Sequence, residues 1–588
     1  MWYNVSHHMR TSLWIRSVAA RRVLPQTAPV LAAALIATGS ATAAPEAQEA
    51  APLPEEGIPV TSDLVHRVCG DCHRADEERR MSRISYQRTT PEGWQQTVRR
   101  MVLLNDLQIE PEDAREAIAY LATYHGLAPE EAVEGAFHSE RRDNLDYYYA
   151  ADPETQITCN RCHSMGRVLN QRRTREEWDL LTAMHRALYP FTDFQSFMRR
   201  IESDESEGND GPSAVERAVA HLAEVFPLDT PEWTSWAANM RTEPRLDGAW
   251  ALVGRERGQG PVYGEFVVTA NPEAPDQFRT TASYTYAARG RDVTRSGQAR
   301  VFTGFQWRGS TTSSSSGQPA LREVLSVSRD RESMTGRWFT GVYDELGIDV
   351  TLHRAGAQPV LTGVWPPAVP TAGGDVTLQL FGVNLPDALD AASVDLGTGL
   401  TVTGVSEASA GGATLRVQVA PDARVGPRDL FIGEAALPDA VVVFDEVHRI
   451  AVTPRTGLAR VGGGAIPKQY ERFEARAWHD GPDGEAETDD DLDLGIVDAA
   501  WSLEEYAVTF GDDDTEFVGT IDGQGIFEPA LDGPNPERSG ERNNVGDVWV
   551  VATVSTGPAG VALEPPQRAR THLVVSVPVY LRRGAEGP

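Results

Sequence analysis

All four cysteines of this 588-residue chain fall in two copies of one pentapeptide, Cys69-Gly70-Asp71-Cys72-His73 and Cys159-Asn160-Arg161-Cys162-His163. Cys-x-x-Cys-His is the pattern that attaches a c-type haem. The two thiols add to the haem vinyl groups as thioethers, and the adjacent histidine becomes the proximal iron ligand. Two motifs predict two covalently bound haem c groups, held through Cys69, Cys72, Cys159 and Cys162, with His73 and His163 on the irons. One-electron transfer is the chemistry that follows. Two Cys-x-x-Cys pairs can also hold zinc, but zinc knuckles rarely set a histidine directly behind both pairs.

Haem c is attached outside the cytoplasm, and the N-terminus fits export. Arg10, Arg16, Arg21 and Arg22 precede an apolar stretch from Ala28 to Ala37, and Ala41-Thr42-Ala43 supplies small residues for cleavage. A signal peptide over residues 1–43 and a periplasmic product are expected, with Met9 an alternative start and Arg21-Arg22 a weak twin-arginine signal. No later stretch reaches the ~18 apolar residues a membrane span needs. Cleavage would remove four arginines and no acid, taking the formal charge from −31 to −35. Such a surface argues against nucleic acid and anionic lipid as partners, and either steers a basic partner or simply keeps the protein soluble.

The chain changes pattern near Gly248. From Asp63 to about Trp236 apolar residues recur at helical spacing, as in Ala114, Ala117, Ile118, Leu121 and Ala122. Beyond it, alternating runs such as Gly264-Glu265-Phe266-Val267-Val268 and Leu415-Arg416-Val417-Gln418-Val419 read as antiparallel strands between turn residues. The expected layout is a helical di-haem cytochrome at 44–240, an antiparallel β-barrel at 241–356, and two immunoglobulin-like β-sandwiches at 357–446 and 447–588. The run Thr311 to Ser316 reads as a flexible hairpin loop. The acidic runs Asp489–Asp493 and Asp512–Asp514 lack the glycine and glutamate of an EF-hand and read as solvated turns.

A repeat inside the helical part nominates the remaining iron ligands. Thr90-Pro91-Glu92-Gly93-Trp94 and Thr174-Arg175-Glu176-Glu177-Trp178 both look like helix starts, with threonine as N-cap and, in the second, a Thr-x-x-Glu capping box. Seven residues beyond each tryptophan stand Met101 and His185. Seven residues is about two turns, so each shares a helix face with its tryptophan. Two class I cytochrome modules in tandem follow, with His73 and Met101 on the first iron and His163 and His185 on the second. A thioether ligand raises the potential relative to a second imidazole, so the pair would form a potential step. Met165, Met184, His66, His125 and His221 are competing donors in the same region.

These residues together resemble the alpha subunit of quinohemoprotein amine dehydrogenase. The likeness rests on Glu92-Gly93-Trp94 with Arg99-Arg100-Met101, on Gly126-Leu127-Ala128-Pro129-Glu130-Glu131-Ala132, on Cys162-His163 followed by Arg172-Arg173-Thr174, and on Gly254 with Gly264. Met184-His185-Arg186-Ala187-Leu188-Tyr189-Pro190 departs from it, since an aromatic before the histidine and a glycine after it are expected. The resemblance implies a heterotrimer that deaminates primary amines oxidatively. In it a small gamma subunit carries cysteine tryptophylquinone, a beta subunit forms a β-propeller, and this chain passes electrons to a soluble copper protein or cytochrome c. No catalytic acid, base or nucleophile is expected here. A di-haem cytochrome c peroxidase and a stand-alone carrier whose β domains act as a scaffold are the alternatives.

Overall fold

The computed structural model of the chain describes residues 56–132, 147–161, 163–189, 191–198, 211–315, 317–371, 374–464, 466–507 and 512–578. The expected signal peptide and Cys162 lie outside the described residues. Among the described residues no helix is long and apolar enough to cross a membrane.

The helical region is built on well-capped short helices. Helix α1 (Asp63–Cys69) starts at Ser62, whose side chain accepts from the Val65 N–H, and ends on the first motif cysteine. Helix α2 (Pro91–Asn105) is capped by Thr90 with proline at its first turn, and stops where Asp106 adopts φ 56°. Helix α3 (Pro111–Tyr124) packs against α2. The second module repeats the plan with α4 (Pro153–Cys159), α5 (Gly166–Leu169), α6 (Arg175–Leu188) and α7 (Ala214–Val225), and α8 (Pro231–Asn239) follows. Thr174 caps α6 by accepting from the Glu177 N–H. The expected capping box does not close there, because Glu177 gives its carboxylate to Arg83 at 2.8 Å and to Arg173 at 3.7 Å. Buried ion pairing outbids a local cap that a carboxylate could make equally well at the surface.

One small ladder joins the modules. Strands β1 (Gln87–Thr89) and β2 (Gln171–Arg173) pair antiparallel, so that Arg88 stands opposite Arg172. The cytochrome region then rests on the barrel: Arg308 pairs with Glu92, its Nε 2.6 Å from the carboxylate, and Thr303 Oγ1 donates to the Ala122 carbonyl at 2.9 Å.

Eight antiparallel strands close that barrel: β3 (Gly248–Glu256), β4 (Gly260–Asn271), β5 (Ala274–Tyr286), β6 (Arg291–Phe302), β7 (Gln306–Ser313), β8 (Leu321–Val327), β9 (Ser333–Thr340) and β10 (Leu346–Arg354), with β10 returning to β3. Closure leaves no free sheet edge, and Trp250, Phe266, Trp307 and Trp338 fill the interior with no solvent exposure. At Gly264 an added Cβ would sit 2.1 Å from the Ser283 carbonyl oxygen, so only glycine lets β4 and β5 approach there. The sequence reading of Thr311 to Ser316 as a loop is corrected here: Thr311, Thr312 and Ser313 extend β7, and Thr311 is buried with its backbone opposite Gly297 and Leu321. β-Branched threonine suits an inward strand position as well as a turn.

Two further β regions follow. In residues 360–444 two four-stranded sheets share one core that includes Leu361, Leu378, Leu415, Leu430 and Val441. In residues 449–576 a three-stranded and a four-stranded sheet enclose Ala475, Phe473, Val548 and Leu573, with a small third sheet beside them. The reading of the acidic runs as solvated turns is corrected in part: Asp491 pairs with Arg449 with its side chain nearly covered, and Asp513 and Asp514 pair with Arg538, where Asp514 and Arg538 are buried, because a paired carboxylate can leave water.

Candidate haem sites

In the first module, α1 delivers Cys69 against a core of Val65, Met81, Ile84, Trp94 and Leu121, while Cys72 stays exposed. His73 is turned by its Nδ1, 2.9 Å from the Ser82 carbonyl oxygen. That bond leaves Nε2 as the free nitrogen. Burial, with the Arg83 charge beyond it, holds His73 below the ordinary imidazole range against the pull of the Ser82 carbonyl. On α2, Trp94 is fully buried and donates its indole N–H to the His125 carbonyl at 2.9 Å. Met101 stands two turns further along, half-buried.

In the second module, Cys159 ends α4, packed against the Met165, Trp178, Phe197 and Leu222 core. His163 Nδ1 lies 2.9 Å from the Ser164 carbonyl oxygen, and His185 Nδ1 lies 2.8 Å from the Leu181 carbonyl oxygen. Their ring centroids are 6.5 Å apart at an interplanar angle of 53°. Two imidazoles bonded to one metal from opposite sides, each at about 2 Å, give about this separation. Both rings open onto a cavity with an apolar wall that includes Val168, Trp178, Leu181, Phe197 and Leu222. Residues of α2 line its far side, and Val342 and Tyr343 reach it from the turn between β9 and β10.

Two of the competing donors are engaged elsewhere. His66 Nε2 meets the Val60 carbonyl at 2.7 Å, and His221 Nε2 meets the Tyr149 hydroxyl at 2.9 Å. His125 is buried beside Trp94, and Met165 is buried in the second core. Met184 does line the cavity beside His185. Among the described residues, the groups of three or more His, Cys, Asp or Glu that could share a metal ion are Asp445–His448–His479 and Glu505–Asp512–Asp514. Neither contains a cysteine.

Four family models tile the molecule. Residues 60–233 match the haem-binding domain of the quinohemoprotein amine dehydrogenase alpha subunit, and residues 243–355, 358–445 and 450–584 match its domains II, III and IV. The chain belongs to this alpha-subunit family. As an alpha subunit of that enzyme it is one component of a multi-subunit oxidoreductase, and residues 60–233 form its haem-binding domain. A search of curated proteins found no match. Among solved structures, a redesigned beta barrel is 18% identical over 20% of this chain and 98% of its own, with a TM-score of 0.18. A redesigned beta barrel, mFAP1, bound to DFHBI is 20% identical over 19% of this chain and 100% of its own, also at 0.18.

The second site fits a haem on its own geometry. Two imidazoles have their Nδ1 atoms fixed by carbonyls and face a shared cavity walled by both apolar side chains and arginines, an arrangement that suits ligation through Nε2. Sequence reading missed the residues that hold the two modules together. Arg88 is fully buried and grips Glu131 through two bonds of 2.6 and 2.7 Å, with its ring-facing side 4.6 Å from the Trp233 centroid. Arg172 meets the same carboxylate at 3.3 Å and donates to the Glu131 carbonyl at 3.1 Å, while Thr230 donates to Glu131 at 2.7 Å. The signal was present: Gln87-Arg88 and Gln171-Arg172 continue the threonine and tryptophan repeat upstream at the same offset of 84 residues.

Proposed function

We propose that this alpha subunit is a periplasmic di-haem electron-transfer chain. It receives electrons from a tryptophan-derived quinone on a partner subunit and hands them to a soluble copper protein or cytochrome c. The observation that carries the reading is the facing pair His163 and His185, each held by Nδ1 on a backbone carbonyl. On this reading Cys69 and Cys72 tether one haem, with His73 and Met101 as its axial ligands, and Cys159 and Cys162 tether the other, with His163 and His185. Haem supplies the one-electron couple that separates a two-electron amine oxidation into single transfers.

The chain's own residues set direction and order. Carbonyl-anchored Nδ1 atoms keep the imidazoles in one tautomer and one orientation, which lowers the reorganisation that a change of charge demands. The thioether of Met101 would give the first centre the higher potential. The partner subunits expected are a β-propeller beta subunit and a small gamma subunit bearing cysteine tryptophylquinone, since all four thiols here are assigned to haem. The peroxidase alternative would need one haem to open an axial position for peroxide, and it fails if His185 and Met101 both stay bound in every redox state.

The native protein isolated from periplasm, with its subunits and its spectrum recorded before and after a primary amine is added, tests the reading. Haem reduction by amine in a complex with a small quinone-positive subunit is the expected result. A lone, amine-inert chain would overturn the dehydrogenase role.

A further inference from the structure

Among the described residues, the cavity that receives His163 and His185 carries four arginines on its wall, Arg100, Arg161, Arg167 and Arg173, and no carboxylate. The chain as a whole has a formal charge of −31, so this concentration of cations runs against its composition. Arg173 is 5% exposed and lies 5.8 Å from the Trp178 ring centroid. Its nearest carboxylate, Glu177, is also claimed by Arg83. One carboxylate therefore answers two guanidinium groups, and a buried cation with half a partner is costly unless a further anion arrives. Arg100 comes from the other module, on α2, directly before Met101. Planar guanidinium forks are the side chains best matched to carboxylates.

We propose that Arg100 and Arg173 receive the propionate carboxylates of the haem ligated by His163 and His185. The inference rests on the di-haem reading above. It gives α2 a part in both centres: Met101 serves the first, and Arg100 reaches into the second from across the module boundary. A cation fixed there stabilises the less positive, reduced state, so Arg100 narrows the potential step between the two centres.

The test uses the whole purified protein. Haem content is measured by mass, and the two midpoint potentials are resolved by spectroelectrochemical titration, with the bis-histidine centre followed by its own electron paramagnetic resonance signals. Arg100→Gln should lower the potential of that centre by more than that of the first, and be largely rescued by Arg100→Lys. Arg173→Gln should shift it in the same direction. If Arg173→Gln does not fold, the half-buried Arg100 carries the test alone. An unchanged second potential in Arg100→Gln with both haems attached overturns the proposal. A wild-type chain carrying a single haem overturns the di-haem reading itself, and the two failures are told apart by mass.

Discussion

In the first module Cys72 is exposed, His73 is half-exposed, and Val102, Leu103 and Leu104 are exposed just beyond Met101. In the second, the cavity around His163 and His185 is walled by helices of both modules and by the barrel turn that carries Tyr343. Yet the two are built on one frame. Trp94 and Trp178 each donate an indole N–H to the residue that ends a later helix, His125 in one and Phe226 in the other. The same two carbonyls accept from the backbone of β1 and β2. A duplicated frame fixes where the helices that carry Met101 and His185 start. Neighbouring domains then decide which site is enclosed, and enclosure is what sets dielectric and solvent access at a redox centre.

The comparison can be broken most directly at the ligands. Met101→His should lower the potential of the first centre and His185→Met should raise that of the second, so that each change shrinks the step and the double variant reverses it, as read by spectroelectrochemical titration. Unchanged potentials would remove Met101 and His185 from the irons. The next largest effect is expected at Glu131, where both modules meet. Glu131→Ala leaves Arg88 and Arg172 buried without their carboxylate, and thermal or denaturant unfolding should show a loss of about 3–5 kcal/mol.

A subtler asymmetry lies at the ends of α3 and α7. His125 has no exposure and no protein partner for either ring nitrogen. Burial, aided by the Arg88 charge, lowers its pKa to about 3. An unfolded histidine takes up its proton at about 6.5. Between those values the unfolded chain binds more protons, so stability falls as pH drops from about 6.5 toward 3, by up to about 1.4 kcal/mol per unit. His125→Phe, which copies Phe226, should flatten that acid limb in pH-dependent unfolding and leave stability above pH 7 little changed. The smallest effect is expected at Arg67, whose 3.2 Å pair with Asp113 joins α1 to α3 while its side chain is 64% exposed. Arg67→Ala should cost no more than about 1 kcal/mol by the same unfolding assay, against the several lost at Glu131.

Much of this was legible in local pattern. The Cys-x-x-Cys-His motifs pointed to haem, which the haem-binding family match supports, Thr90 and Thr174 do cap their helices, and the switch to alternating strands after Gly248 marks where the barrel begins. Less legible were residues whose role depends on a distant partner. Glu177 looked like a capping residue and became the shared anion of Arg83 and Arg173. Glu131, noted only as part of a segment that carries the family likeness, became the meeting point of Arg88, Arg172 and Thr230, from 41 to 99 positions away. Thr311 looked like part of a serine-rich loop and became an inward strand residue.

The sequence by itself determined the helix starts, the duplication and the order of helical and β regions, because each is set by residue type at short spacing, and the same short spacing carries the expectation of haem attachment. Only the tertiary structure decided that His163 and His185 face each other and that one buried carboxylate locks two modules. It alone decided, too, that arginines gather around the second site in an acidic protein. Those depend on which side chains lose water together, and burial is a property of the packed chain rather than of any segment of it.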